Sequence, residues 1–478
     1  MDEGLLELMD DARGRADYAD ARRVHVRSER IGVRDGQLER LDVVEDEGVG
    51  VRVRLDGAWG FAATRGDGDD RARGALARAL EVARSQQSTD GLPLAPEPPA
   101  RGSYRSPFEI DPFDVPLEDK LAVLVAATAA MGAEPGVTVA RAHLSAFRTE
   151  TTFASSEGAL CHQSLTECGG GIIALAARDR ESQVRSYPAS HGGNLAQAGY
   201  EHLRVLDLPG AAPRVGEEAA ALLRAPACPE AETALILVGE QLGLQLHESI
   251  GHAVELDRVL GREASYAGTS YVRADALGAL RVGSPLLDVT ADATTRGGVG
   301  SFRWDDEGVE GQAVPLVREG ILRGFLSSRE TAGEIGVPRS GGCMRAEGFA
   351  RQPLVRMTNV SLEPGDAGTL EELIADTEEG ILIDTNRSWS IDSRRLQFRF
   401  EGEAAWEIRG GRRGRLLRNP SYTGVTPEFW GGLDAVCSPS EWRLDSVMNC
   451  GKGEPGQVMR VSHGSAPARF RGVRVGGG

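Results

Sequence analysis

The sequence lacks any apolar run near the roughly 20 residues that span a bilayer. Its start, Met1-Asp2-Glu3-Gly4, has neither the basic residues nor the apolar stretch of an export signal. A membrane-embedded role is excluded on this reading, and a cytoplasmic location is expected. Cysteine is scarce: six in 478 residues, at 161, 168, 228, 343, 437 and 450, too dispersed for a disulfide framework. Positive charge is in deficit as well. With 54 Lys and Arg against 71 Asp and Glu, the net charge of −17 repels a phosphate backbone, so no nucleic-acid partner is expected. The one basic stretch, Arg409 to Arg418, reads as a solvated hairpin. What remains is ordinary globular composition, 41% hydrophobic and 26% charged, in a chain too long for a single core.

The patterning predicts an α+β chain of two domains, an N-terminal α/β-layered domain over 1–230 and a mostly β C-terminal domain over 231–478. From Arg23 to Phe61, valines alternate with polar residues around the turns Asp35-Gly36 and Asp56-Gly57, which predicts an antiparallel meander. A helix is predicted over 69–84. The connection from Leu92 to Pro116 holds too many prolines for a regular element. A second helix is expected over 117–131, strands over 137–148 and 170–185, and helices over 194–204 and 215–224. The apolar run Thr233 to Val238 predicts a buried strand that leads through Gly239 into a helix. Beyond it come short strands and one further helix near 370–377.

That helix carries His247-Glu248-Ser249-Ile250-Gly251-His252. Two imidazoles flanking a carboxylate are the groups from which a catalytic zinc site and its general base are built. The histidines are five residues apart, however, and on a regular helix that spacing turns them about 140° from one another. One ion can take both only if the helix widens by a π-type turn or ends between them, and Gly251 is the residue type that permits such a departure. On the hexapeptide alone, two locally hydrogen-bonded histidines remain an open alternative.

Further motifs follow in order: Glu255 and Asp257; Asp305-Asp306-Glu307-Gly308 with Gly311-Gln312; Met357-Thr358-Asn359; Glu363-Pro364-Gly365; and Cys450-Gly451-Lys452 with Gly456-Gln457. With the hexapeptide they make the region from about 230 to 478 resemble the TldD/PmbA family, in particular its catalytic TldD-type branch. The first half is similar only in general plan. The resemblance implies a zinc ion held by His247, His252 and Cys450, and Glu248 as the general base. It also implies an internal cleft for unfolded or extended peptides, in a two-subunit assembly with a TldE/PmbA-like subunit or a second copy. Where relatives commonly have a glycine-rich step, this chain has Ala253-Val254 and Leu256, a departure that bears on substrate preference and not on the ligands. A family label of gyrase modulator supplies the alternative, a non-proteolytic regulatory binding protein with a structural zinc. Structural zinc sites usually close on four protein ligands, and three are found here.

The other candidates read more plainly. Cys343 and Cys437 are expected to be buried apolar residues, and Cys161, His162 and Cys168 lack a second half-site. His463 is the reserve metal or substrate ligand, otherwise an exposed loop histidine. One of Asp305, Asp306 and Glu307, or Glu255, is expected to accept the free N–H of a ligating histidine.

Overall fold

A computed structural model describes residues 3–86 and 93–477. The architecture is α+β, as the periodicities predict. In the first half, the valine alternation folds into long antiparallel strands, Tyr18–Arg34, Gln37–Leu55 and Ala58–Arg65. Both connecting turns are tight: Asp35 and Gly36 take φ of 50° and 78°, and Asp56 and Gly57 take 49° and 80°. Two successive left-handed residues match the right-handed twist of a hairpin. These strands join Val137–Ser155 and Leu160–Arg178 in an eight-stranded sheet. One core cluster packs Val49, Val51, Leu76 and Leu80 under the helix Asp69–Ser85. A second packs Leu124, Ala142, Ile172 and Val215 under the helices Leu117–Gly132 and Leu208–Leu222.

Three local expectations need correction. The proline-rich connection contains a strand, Arg101–Arg105, parallel to Leu160–Ser164; it occupies the proline-free interval between Pro99 and Pro107 and sits at the sheet end, where half its backbone groups need no partner. Residues 170–185 are not one strand, because Asp179, at φ 57°, turns the chain from Leu160–Arg178 back along Glu181–Tyr187. The helix expected over 194–204 is a short strand, Asn194–Ala196, followed by the helix Glu201–Leu206, since the sheet edge claims the first residues.

Between Leu222 and Ala231 the chain passes into the second half. Its buried strand Ala231–Leu237 lies between Ala468–Gly477 and Glu379–Ile383 in a nine-stranded sheet whose outermost strand on one side is Asn386–Ile391. A six-stranded sheet includes Asn359–Leu362, Gln457–Ser465 and Arg443–Lys452. One core cluster, running from Leu235 through Leu246, Val289 and Trp430 to Phe470, unites both sheets. The arginine-rich stretch is a hairpin, Ala404–Arg409 with Arg412–Arg418, its cations paired with Glu407 and Glu371. Among the described residues no helix is long and apolar enough to cross a membrane.

Buried ion pairs tie the halves together. Arg52 of the first sheet donates to Asp20 at 2.6 Å and to Glu307 of the second half at 3.2 Å, with all three side chains at most 3% exposed. Arg185 likewise reaches Glu218 at 2.6 Å and Asp384 at 2.5 Å. Removing one member of a buried ionic group strands the others in a medium that solvates them poorly. Arg52→Met should therefore lower unfolding stability by about 3–5 kcal/mol, read from urea midpoints, while Arg65→Met, in an exposed pair with Asp46, should shift the midpoint little. Equal midpoints for the two variants would contradict the assignment.

Candidate metal centre

The helix after the buried strand is regular over Gly239–Leu246 and then changes pitch. His247–Gly251 forms a π turn in which the His252 N–H donates to the His247 carbonyl, and His252–Val254 tightens to a 3-10 turn. The five-residue spacing is thus accommodated by a widened turn. The imidazoles stand edge-to-face with ring centroids 4.7 Å apart. Ser249 anchors the turn, donating from Oγ to the Gln245 carbonyl at 2.6 Å and accepting from Trp430 Nε1 at 2.9 Å. Gly251 is there for a different reason from the one expected. Its φ of −52° and ψ of −60° are ordinary helical values; what excludes a side chain is Met357, whose Sδ would lie 2.4 Å from a Cβ.

Cys450 arrives from the strand Arg443–Lys452. Val447 pairs with Val461 but Cys450 pairs with Met459, so one extra residue bulges at Met448-Asn449. A bulge re-aims the side chains beside it. The Cys450 Sγ stands 3.6 Å from His252 Nε2, and the three donor atoms of His247, His252 and Cys450 lie within 4.8 Å of one another. Zinc–nitrogen and zinc–sulfur bonds of about 2.0 and 2.3 Å at a tetrahedral angle give a nitrogen–sulfur edge of about 3.6 Å. The donor types, and the spacing of this pair, fit the metal.

The hydrogen bonds behind these atoms fix their protonation. His463 Nδ1 lies 2.8 Å from the Val360 carbonyl, which can only accept, so His463 Nε2 carries a lone pair. That lone pair accepts from His247 Nδ1 at 2.7 Å, leaving His247 Nε2 free to ligate. His252 Nδ1 donates to Glu255 Oε2 at 2.8 Å, leaving its Nε2 toward Cys450. Burial pushes His247 down to about 4 against the weaker pull of Glu248 and Glu255. Burial also lowers His252, with Glu255 opposing. The Cys450 thiol is pushed up by burial, yet the Arg356 guanidinium and His252 outweigh this and hold it below its ordinary value. The remaining cysteines go the other way: burial raises Cys161, Cys168, Cys343 and Cys437 to about 12 and Cys228 to about 11. Among the cysteines only Cys450 is drawn towards the thiolate, chiefly by Arg356, and burial favours the neutral form of both histidines, the forms a metal ligand needs.

Glu255 is the carboxylate that orients a histidine. It is fully buried, and although burial raises it, Lys452 and His252 outweigh that and hold it well below the usual carboxylate range. Lys452 Nζ is 3.3 Å from Glu255 and 2.8 Å from Asp257, which explains the Lys452 and Asp257 of the motifs. Asp305, Asp306 and Glu307 do not serve the centre. Asp305 accepts the backbone N–H groups of Met344, Glu307 and Val309, Asp306 faces Arg22, and Glu307 faces Arg52. Asp305 and Asp306 line a cleft of about 230 Å3 between the halves, whose wall includes Arg345, Met459 and Arg460 but none of His247, Glu248, His252 and Cys450. His463 is neither an exposed loop residue nor a ligand; it is buried on Gln457–Ser465 and its Nε2 is taken by His247. Cys161 and Cys168 are buried, and His162 pairs with Thr152.

Glu248 is held by two residues that sequence reasoning missed. Trp389 Nε1 donates to its Oε1 at 3.0 Å, and Arg395 Nη1 donates to its Oε2. Both come from the outermost strand Asn386–Ile391 and the turn after it, where Arg395 takes a φ of 62°. No spacing in the sequence links positions 248, 389 and 395; sheet order does.

Known proteins share this chain's family and fold. Residues 19–86, 110–225 and 231–477 match the models of PmbA/TldA metallopeptidase domain 1, central domain and C-terminal domain. A metalloprotease of Methanocaldococcus jannaschii is 31% identical across 98% of this chain and 97% of its own length. A zinc metalloprotease TldD homolog of Saccharolobus solfataricus is 29% identical over 52% of each chain. Among solved structures, a putative modulator of a DNA gyrase from Thermotoga maritima superposes with a TM-score of 0.77 at 16% identity over 99% of both chains. TldE from Thermococcus kodakarensis superposes at 0.73 and 15% identity over 99% of this chain and 100% of its own.

Two outcomes follow for the centre. Cys450→Ala should lose bound zinc by orders of magnitude in affinity while Cys343→Ala and Cys437→Ala keep it, measured by elemental analysis after gel filtration; full occupancy in Cys450→Ala would move the third ligand elsewhere. The metal-free protein should weaken in acid. A histidine lowered from 6.5 to about 4 stays neutral in the fold while the unfolded chain takes up the proton, so stability is lost as pH falls from about 6.5 towards about 4. Denaturant midpoints of metal-free protein across that window check this; a flat profile would contradict it.

Proposed function

The chain belongs to the PmbA/TldA metallopeptidase family, and from that premise we propose that it is a zinc-dependent peptidase that hydrolyses unfolded or extended peptides, with His247, His252 and Cys450 as metal ligands and Glu248 as general base. The observation that carries the reading is the convergence of two imidazoles from a π turn and one cysteine sulfur from a bulged strand, next to a clamped carboxylate. Zinc bound there would supply a Lewis acid that polarises a peptide carbonyl and acidifies water.

The chain's own residues do the rest. A carboxylate has about four acceptor positions; Arg395 and Trp389 use one on each oxygen of Glu248 and fix its orientation, which leaves positions for a water. Glu248 takes the proton of that water as it attacks the carbonyl, then delivers it to the leaving amine. Among the described residues the strand Asn386–Ile391 is bonded to a neighbour on one side only, and its exposed face runs past Trp389. An extended peptide can pair with its free edge through main-chain hydrogen bonds, which gives affinity with little sequence preference. We place the domain boundary near residue 230, and read the assembly as a pair with a TldE/PmbA-like subunit or a second copy. The stretch Leu38, Leu41, Val43 and Val44, exposed on Gln37–Leu55 beyond the reach of Ala58–Arg65, offers apolar surface for that pairing.

The alternative, a non-proteolytic regulatory protein with a structural zinc, has no use for a clamped base. Glu248→Gln separates the two readings. Gln is nearly isosteric but its amide cannot take the proton, so the variant should fold, hold zinc and bind peptide, yet turn over casein-derived peptides at least about a hundredfold more slowly. More than about a tenth of wild-type turnover at unchanged zinc content would remove Glu248 from the role.

A further inference from the structure

The first half of the chain reaches the site through one short segment. Ser190 donates from its backbone N and its Oγ to Glu240, each at 2.9 Å, at the start of the helix that becomes the π turn. Asn194 donates from Nδ2 to the Leu444 carbonyl at 3.2 Å and accepts the Ser446 N–H at 3.1 Å, on the strand that carries Cys450. Between these anchors His191, Gly192 and Gly193 all turn left-handed, at φ 47°, 114° and 69°. A Cβ on Gly192 would meet Met448 Sδ at 2.7 Å, in the bulge before Cys450, and one on Gly193 would meet the Gly170 carbonyl at 2.1 Å.

Glycine is obligatory at 192 and 193, but His191 has a side chain and still holds a conformation that side chains disfavour. The consequence is where its ring goes. The imidazole is exposed and stands edge-to-face against Trp389, with centroids 5.4 Å apart and planes at 81°. Trp389 is the residue whose indole N–H holds Glu248, and it lies on the free-edged strand Asn386–Ile391. The loop therefore carries a solvent-facing imidazole to the place where the base and the open strand edge meet.

The geometry points to His191 as a peptide-contacting residue of the active site, supplied by the first half of the chain: its imidazole hydrogen-bonds the main chain of an extended peptide on the edge of Asn386–Ile391 and so adds to substrate binding. This rests on the peptidase reading above. The ring also interacts with the Asn386 side chain at the start of that strand, and the second nitrogen of a neutral imidazole can donate to or accept from an amide, which suits a substrate recognised by extension and not by side chain.

Three substitutions test it, assayed with a short fluorescein-labelled casein-derived peptide. His191→Phe keeps a ring against Trp389 without hydrogen bonding, His191→Gln keeps hydrogen bonding without the ring, and His191→Ala removes both. KM should rise about tenfold in the Ala and Phe variants, the worth of one well-made hydrogen bond, and return most of the way in Gln, with kcat, zinc content and melting midpoint unchanged. A Phe variant at wild-type KM would reduce His191 to packing for Trp389 and overturn the proposal. Peptide affinity measured in a Glu248→Gln background keeps the two claims apart. Affinity insensitive to His191→Ala overturns the contact, whereas a His191-dependent affinity in a wild type that cleaves nothing supports the contact and overturns the peptidase reading.

Discussion

Everything at the centre depends on one backbone hydrogen bond, from the His252 N–H to the His247 carbonyl. Were the helix to keep its regular pitch, the two imidazoles would diverge and neither the ligand set nor the clamp on Glu248 could form. A π turn is less favourable than the α turn it replaces, so the surroundings must hold it. Ser249 ties it to Gln245 and Trp430, Met357 presses against Gly251, and the Ile250 side chain is buried in the core that unites the two sheets. The widened turn is thus set by packing from both sheets as much as by its own residues.

The same burial that fixes geometry also selects protonation. A buried imidazole is kept neutral, but a buried thiol would ordinarily be kept neutral too, and a ligand must be a thiolate. The chain resolves this by placing Arg356 beside Cys450 and an ion group of Glu255, Lys452, Asp257 and Arg258 behind His252. Burial is common to all six cysteines and the other five are pushed upward, so local charge is what sets Cys450 apart.

Much of this was legible in the sequence where a single element carries the signal. The valine meander, the helices over 69–85 and 117–132, and the strand Ala231–Leu237 leading into the histidine helix follow from periodicity and turn residues. The spacing of His247 and His252 by itself required a break in helical pitch. What escaped notice depends on which elements become neighbours. Trp389 and Arg395 look like unremarkable strand and turn residues until sheet order puts them on Glu248. His463 reads as a loop histidine because its role rests on the pairing of Gln457–Ser465 with Arg443–Lys452 and on Val360. At Gly251 close approach by Met357, and not backbone freedom, requires glycine, and the two leave the same mark in a sequence. The acidic run 305–307 could be assigned to the centre only by proximity, and the structure spends it on Arg22, Arg52 and backbone N–H groups that join the halves.

The central claim is that a π turn and a bulged strand bring two imidazoles and one thiolate to a single zinc ion. X-ray absorption at the zinc edge of the purified metal-loaded protein tests it most directly. The account predicts a shell of two protein nitrogens near about 2.0 Å and one sulfur near about 2.3 Å, with the remaining position filled by a lighter oxygen donor. A shell with no sulfur, or with two or more, would contradict it.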